Sequence, residues 1–248
     1  MTASGNADLA PREAGPAALA ERAARGRTYA FFDVDETLIT FKSMFSFQDF
    51  WYQRGPGPKD GDREAERDRF RVVMQALAGS GASREEVNRR YYEFYAGRNV
   101  QEVASLAQSW FDEQVSLTPA AYRQPVVARL EQHLHDGIVP VFVSGSLLEI
   151  LTPLAREMQV HHLLCTRLET VDGTFTGRIL PPQMIGAGKS AAVLEFIRAQ
   201  GADASGCHAY GDDISDAGML ECVGRPHAVT GSAELERYAR ERGWDVLG

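Results

Sequence analysis

A chain of 248 residues with 44% apolar content is long enough for one large domain, or for a core domain carrying an inserted smaller one. Its 26 basic against 34 acidic side chains give a net charge of -8, which excludes a nucleic-acid surface or an anionic membrane as the expected partner. No apolar run reaches the ~18 residues of a bilayer span, and the Ala-rich start, broken by Pro11, Gly15 and Pro16, lacks the apolar core of a signal peptide. Cys165, Cys207 and Cys222 have no metal-type spacing and read as free thiols in a reducing cytoplasm.

In chain order, residues 1–27 read as a loose tail ending in one short helix. Tyr29 to Phe32 is a short apolar strand whose C-terminal end delivers Asp33, Asp35 and Thr37. Open α/β sheets bind ligands at that edge. Two carboxylates one residue apart can divide the work: the first holds a hard cation and attacks an electrophile, the second holds or releases a proton. From Met44 to about Ser116 the pattern turns helical, with an aromatic stripe from Met44 to Trp51 and apolar residues recurring through Phe70, Val73, Met74 and Leu77. Val87, Tyr91 and Phe94 follow, then Val103, Leu106, Ala107 and Trp110. The block contains no strand candidate and reads as an all-helical insertion, its aromatics Trp51, Tyr52, Tyr91, Tyr92 and Trp110 forming that insertion's core.

After Thr118-Pro119, read as an N-cap with proline at the first helical position, a helix is expected from Ala120 to His135. His133 and His135 fall near its C-terminus, where positive charge is favourable. The apolar strand Ile138 to Val143 leads to Ser144-Gly145-Ser146 and a helix from Leu147 to Met158. Leu163 to Glu169 and Thr174 to Arg178 read as a hairpin around Asp172-Gly173, with His161 and His162 as surface or hairpin residues. A helix from Lys189 to Gln200, a strand near His208 to Tyr210, a helix near Asp216 to Val223, a strand from Pro226 to Thr230 and a helix from Glu234 to Arg242 complete the alternation. Such alternation implies a doubly wound, parallel sheet.

Three further signals fall at strand ends or helix starts. Gly145 permits close approach, and the Ser144 hydroxyl with nearby N–H groups suits a phosphate oxygen. Lys189 follows Gly186-Ala187-Gly188, but Gln183 stands where a P-loop needs glycine, so that motif is rejected. Gly211-Asp212-Asp213-Ile214-Ser215-Asp216 is a second acidic cluster whose carboxylates suit Mg²⁺. Each signal alone has a plainer reading as a helix cap, an acidic loop or a solvated lysine. Their common order is what carries weight.

A chain with D-x-D-x-T, strand-Ser-Gly, a helix-start lysine and G-D-D-x-x-D in that order resembles the haloacid-dehalogenase superfamily, over roughly Tyr29 to Thr230, and most closely its subfamily IB, the phosphoserine-phosphatase-like branch. The resemblance implies an α/β, Rossmann-like core (residues 28–41 and 117–248) with an inserted all-helical type 1 cap (residues 42–116). It implies a Mg²⁺-dependent phosphatase acting on a small phosphorylated metabolite, with Asp33 as nucleophile and Asp35 as general acid/base. Thr37, Ser144, Gly145 and Lys189 would hold the phosphoryl group. Asp33, Asp212, Asp216 and the carbonyl of Asp35 would hold the metal, with Asp213 either in the metal shell or capping a helix. Phosphoserine phosphatases carry a glutamate where this chain has Lys42, which argues against phosphoserine as substrate and marks Lys42 as a substrate-selecting residue or a hinge. A phosphomutase or phosphotransferase would carry the same residues, while a phosphorylatable receiver-like protein is disfavoured by the chain length and the large insertion.

Overall fold

The computed structural model describes residues 27–56 and 63–248. The expected short helix of the tail lies outside the described residues. In chain order the strands are β1 (Tyr29–Phe32), β2 (Val139–Leu147), β3 (His162–Thr166), β4 (Leu168–Val171), β5 (Thr174–Ile179), β6 (His208–Gly211), β7 (Arg225–Val229) and β8 (Asp245–Leu247). Six of them form one parallel sheet in the order β3-β2-β1-β6-β7-β8. The chain winds outward from β1 in both directions, so the switch point lies at the C-terminal ends of β1, β2 and β6, where such sheets open a crevice.

Every residue of β1 is buried, as a central parallel strand covered on both faces requires. Its side chains alternate: Tyr29 and Phe31 enter the core that Val193 and Ile197 complete, while Ala30 and Phe32 enter the core on the opposite face. That second core runs without interruption into Phe47, Trp51, Tyr91, Tyr95 and Trp110 of the helical block, so block and sheet share one apolar interior.

The block consists of α1 (Ser43–Arg54), α2 (Arg63–Ser80), α3 (Arg84–Glu93) and α4 (Val100–Trp110), followed by a π-helical turn at Phe111–Val115. Local signals fix its boundaries. Ser83 caps α3 by accepting from the Glu86 N–H, with Glu85 and Glu86 in the positive first turn, and Asn99 caps α4 through Gln101 and Glu102. Helix α2 buries only Phe70 fully; Val73, Met74 and Leu77 are half-buried. The two chain passages joining block to sheet are tied together, with Thr40 N–H donating to the Ala121 carbonyl at 2.9 Å and Arg123 N–H to that of Leu38 at 3.0 Å.

The remaining helices are α5 (Gln124–His135), α6 (Leu148–Glu157), α7 (Ala187–Gln200), α8 (Ala217–Leu220) and α9 (Ala233–Glu241). Three expectations need correction, and one strand has no counterpart among them. Thr118-Pro119 opens a 3₁₀ turn ending at Ala121, and α5 starts only at Gln124, where Pro125 supplies the fixed φ. The expected hairpin is divided: His162–Thr166 joins the main sheet beside β2, and only β4 and β5 pair antiparallel around Asp172-Gly173, both at positive φ. Ser144-Gly145-Ser146, expected just past the end of an apolar strand closing at Val143, lies within β2, because the strand continues through a register shift to Leu147. Edge strand β8, three residues long with Asp245 and Val246 exposed, has too little apolar pattern to be read from sequence.

Candidate active site

Asp33 follows β1 directly, and its N–H donates to the Tyr210 carbonyl of β6 at 2.9 Å, so sheet pairing holds the backbone right up to this carboxylate. The next turn, with Glu36 at φ 63, folds the chain back toward the sheet. A non-glycine residue in that region costs energy and recurs at functional loops. Arg123 offsets it by donating to the Glu36 carbonyl at 2.9 Å.

Lys189, in the first turn of α7, is buried and bridges two acids, with Nζ 2.6 Å from Asp33 Oδ1 and 2.7 Å from Asp216 Oδ1. Asp212, at the end of β6, completes the group: one ligand oxygen from each of Asp33, Asp212 and Asp216 lies within 4.8 Å of the others. Gly211 makes room, since a Cβ there would come within 2.7 Å of the Asp216 side chain. Burial raises the Asp33 carboxyl well above its ordinary value; Lys189 opposes this, and Asp216 and Asp212 reinforce it. Burial likewise raises Asp212. Burial alone would lower Lys189, but Asp216 and Asp33 outweigh it and hold the ammonium charged.

Three buried carboxylates against one ammonium leave an excess of negative charge that a protein interior tolerates poorly. The donor set is all oxygen, the chemistry of a hard divalent cation such as Mg²⁺. The residues therefore fit the ion.

Asp35 faces elsewhere. Its carboxylate accepts from the Ser43 N–H at 2.9 Å and the Ser146 hydroxyl at 2.8 Å, and those two hydroxyls lie 2.8 Å apart. Burial raises its pKa, while these donors from Ser43 and Ser146 lower it. Two carboxylates separated by one residue thus occupy different environments, the condition for different roles. Thr37, expected to hold phosphate, aims its hydroxyl at Asp212 Oδ1 at 2.7 Å and lies 3.3 Å from Asp33 Oδ2, so it braces the acids. Asp213 turns away from the cluster: it caps the following 3₁₀ turn through the Ser215 N–H and pairs with Arg84.

Above these groups lies a pocket of about 240 Å³. Asp33, Asp35, Ser144, Gly145 and Lys189 line it together with Lys42, and Met44, Phe45, Val87, Met184 and Ile185 give it an apolar wall. Arg84 and Asn88 reach it from α3. Lys42 lies at the rim, 3.2 Å from Glu36, with a side chain 40% exposed. Sequence reading missed Ser43, Ser146, Arg84 and Asn88. Only Ser146 left a signal, as the alternate residue after Ser144 on the same strand.

The chain is similar to several known proteins. The chain is 32% identical over 223 residues (89% of it, 78% of the relative) to the inhibition of morphological differentiation protein of Streptomyces azureus. It is 30% identical over 241 residues (96% and 81%) to a probable phosphatase of Mycobacterium tuberculosis, and 29% identical over 223 residues (88% and 69%) to that organism's phosphoserine phosphatase SerB1. A protein of unknown function from Bordetella pertussis Tohama I superposes with a TM-score of 0.77 at 26% identity, covering 90% of this chain and 99% of that one. Residues 30–221 match the family of haloacid dehalogenase-like hydrolases, a span that takes in every acid of the site. The chain belongs to that family of enzymes.

Proposed function

We propose that the protein hydrolyses small phosphate monoesters through a phosphorylated Asp33. The carrying observation is the bridge of Lys189 between Asp33 and Asp216 at the floor of a small pocket. Asp33 attacks phosphorus, the bond to the leaving oxygen breaks, and Asp35 gives that oxygen its proton. Asp35 then takes a proton from water as the water oxygen attacks phosphorus and the bond to Asp33 breaks, releasing phosphate. Ser144 and Gly145 offer donors to the phosphoryl oxygens, and Lys189 balances their charge.

Asp33, Asp212 and Asp216, with the carbonyl of Asp35, are the groups that would hold Mg²⁺. Its contribution when bound is charge neutralisation between carboxylate and phosphate. Residues 42–116 serve as the cap, excluding water and contacting the leaving group.

The substrate is a small metabolite other than phosphoserine. Among the described residues the pocket lining carries no carboxylate apart from Asp33 and Asp35, whereas Lys42, Arg84 and Lys189 all line it. A substrate ammonium would be left unpaired beside cations, at a cost of several kcal/mol. The relative named a phosphoserine phosphatase makes phosphoserine the control to run. The test is a screen in Mg²⁺ of p-nitrophenyl phosphate, sugar phosphates, nucleoside monophosphates, phosphoserine and a phosphopeptide. Turnover of several small esters with phosphoserine among the poorest is expected. Phosphoserine or the phosphopeptide as best substrate would overturn the reading of the pocket.

A further inference from the structure

The carbonyl oxygen of Gly145 accepts from three side chains: Thr166 Oγ1 at 2.8 Å, the Tyr92 hydroxyl at 2.9 Å and Asn88 Nδ2 at 3.2 Å. A carbonyl has two lone pairs, so three donors saturate it and fix the plane of its peptide. The opposite edge of that peptide is the Ser146 N–H, which donates to Ser144 Oγ at 3.1 Å. That bond occupies the Ser144 oxygen as an acceptor. The hydrogen of the same hydroxyl has no acceptor among the described residues, and Ser144 lines the pocket beside Asp33 and Lys189. Peptide orientation therefore sets the direction in which this hydroxyl can donate.

Two of the three donors come from α3 of the helical block, not from the sheet. Each is prepared for the task. The Asn88 amide oxygen accepts from Gln183 Nε2 at 3.0 Å, which leaves its NH₂ group to donate. Tyr92 is fully buried, and burial lifts its phenol far above the working range, so it remains a donor. Gly145 lets the strand end lie close to the facing loop, since a Cβ would come within 3.3 Å of Ile185 and 3.4 Å of the Met184 carbonyl.

We propose that Asn88 and Tyr92 are positioning residues for the phosphoryl group: they hold the Gly145–Ser146 peptide so that the Ser144 hydroxyl donates to a phosphoryl oxygen. The helical block then does more than enclose the leaving group; it completes the phosphate cradle. This inference rests on the phosphatase reading above.

A double-mutant cycle tests it, with p-nitrophenyl phosphate as substrate, inorganic phosphate as inhibitor and melting temperature as a check on folding. Tyr92→Phe and, as a second variant, Asn88→Ala should each lower kcat/KM about fivefold, the effect of one neutral hydrogen bond, and weaken inhibition by phosphate by a similar factor. In a Ser144→Ala background the same substitutions should cost less than about twofold, because the group they act through is gone. The full fivefold loss in that background would overturn the inference, as would unchanged constants for both variants. Phosphate-ester turnover absent from the wild type would overturn the phosphatase reading itself and this inference with it, a result distinct from an additive cycle.

Discussion

Two buried polar clusters flank the central strands, and they solve burial in opposite ways. The cluster at the C-terminal edge gathers acids: Asp33, Asp212 and Asp216 surround one ammonium, Lys189. The other, on the His133 side of β6 and β7, stays neutral. There His133 Nε2 meets the Tyr210 hydroxyl at 2.9 Å, His208 Nδ1 meets His227 Nε2 at 3.1 Å, and the Tyr210 ring stacks between Phe32 and His227 at 4.5 Å from each. Burial first, then the charge of a neighbouring histidine, pushes all three histidines from 6.5 down to about 4. Tyr210 belongs to both clusters, since its carbonyl receives the Asp33 N–H. Where the protein needs only packing it discards charge. Acids that outnumber their cation a few residues away carry a cost that packing does not require, and that cost is the physical ground for proposing this cluster as the reactive one.

The largest way to break this contrast is Asp33→Asn, which keeps shape and removes the proposed nucleophile. Turnover of p-nitrophenyl phosphate in Mg²⁺ should fall at least about a thousandfold. Near-wild-type turnover would show that the charge is structural.

Next comes the response to a cation, read as stability. Relief of the uncompensated acids should raise the wild-type melting temperature in millimolar Mg²⁺, as binding to the folded state alone requires, by about 2–4 °C or more. Asp212→Asn should abolish most of the rise. An equal rise in both proteins would place the ion elsewhere.

The neutral cluster predicts acid sensitivity. The histidines are harder to protonate folded than unfolded, so the unfolded chain binds more protons as pH falls from 6.5 toward about 4. Stability from these groups is thus complete above pH 6.5 and is lost progressively through that window, on the order of a few kcal/mol in total. His133→Gln, which preserves a partner for Tyr210, should flatten the fall in melting temperature. An unchanged slope in that variant would mean that carboxylates alone set acid stability.

The smallest effect is expected at the pocket rim. Lys42 stands in the pocket lining yet pairs with Glu36, so its charge is partly spent before substrate arrives. Lys42→Glu should shift kcat/KM toward phosphoserine relative to sugar phosphates by about tenfold or less. No shift would reduce Lys42 to a hinge residue.

The charged cluster was legible in sequence because each member sits at a strand end or helix start, positions that periodicity and motif spacing report directly. Asp33, Asp35, Lys189, Asp212 and Asp216 fall into that class, while Ser144 lies inside β2. The neutral cluster was not legible. His133, His208, Tyr210 and His227 come from one helix and two strands, and no local pattern announces a long-range stack. The sequence places His133 at a helix end that favours positive charge; in the structure it is buried and pushed down to about 4. For the same reason Tyr92 read only as core: its ring packs there, but its hydroxyl reaches Gly145, 53 residues distant in sequence. The Ser43 and Ser146 clasp on Asp35 joins the first residue of α1 to β2 and escaped notice likewise.

The most direct test of the central claim is acid quenching of the enzyme during turnover of p-nitrophenyl phosphate in Mg²⁺, followed by peptide mass spectrometry. The account predicts a base-labile phosphoryl group on the peptide containing Asp33, absent from Asp33→Asn. Steady turnover with the phosphoryl group on another residue would contradict it.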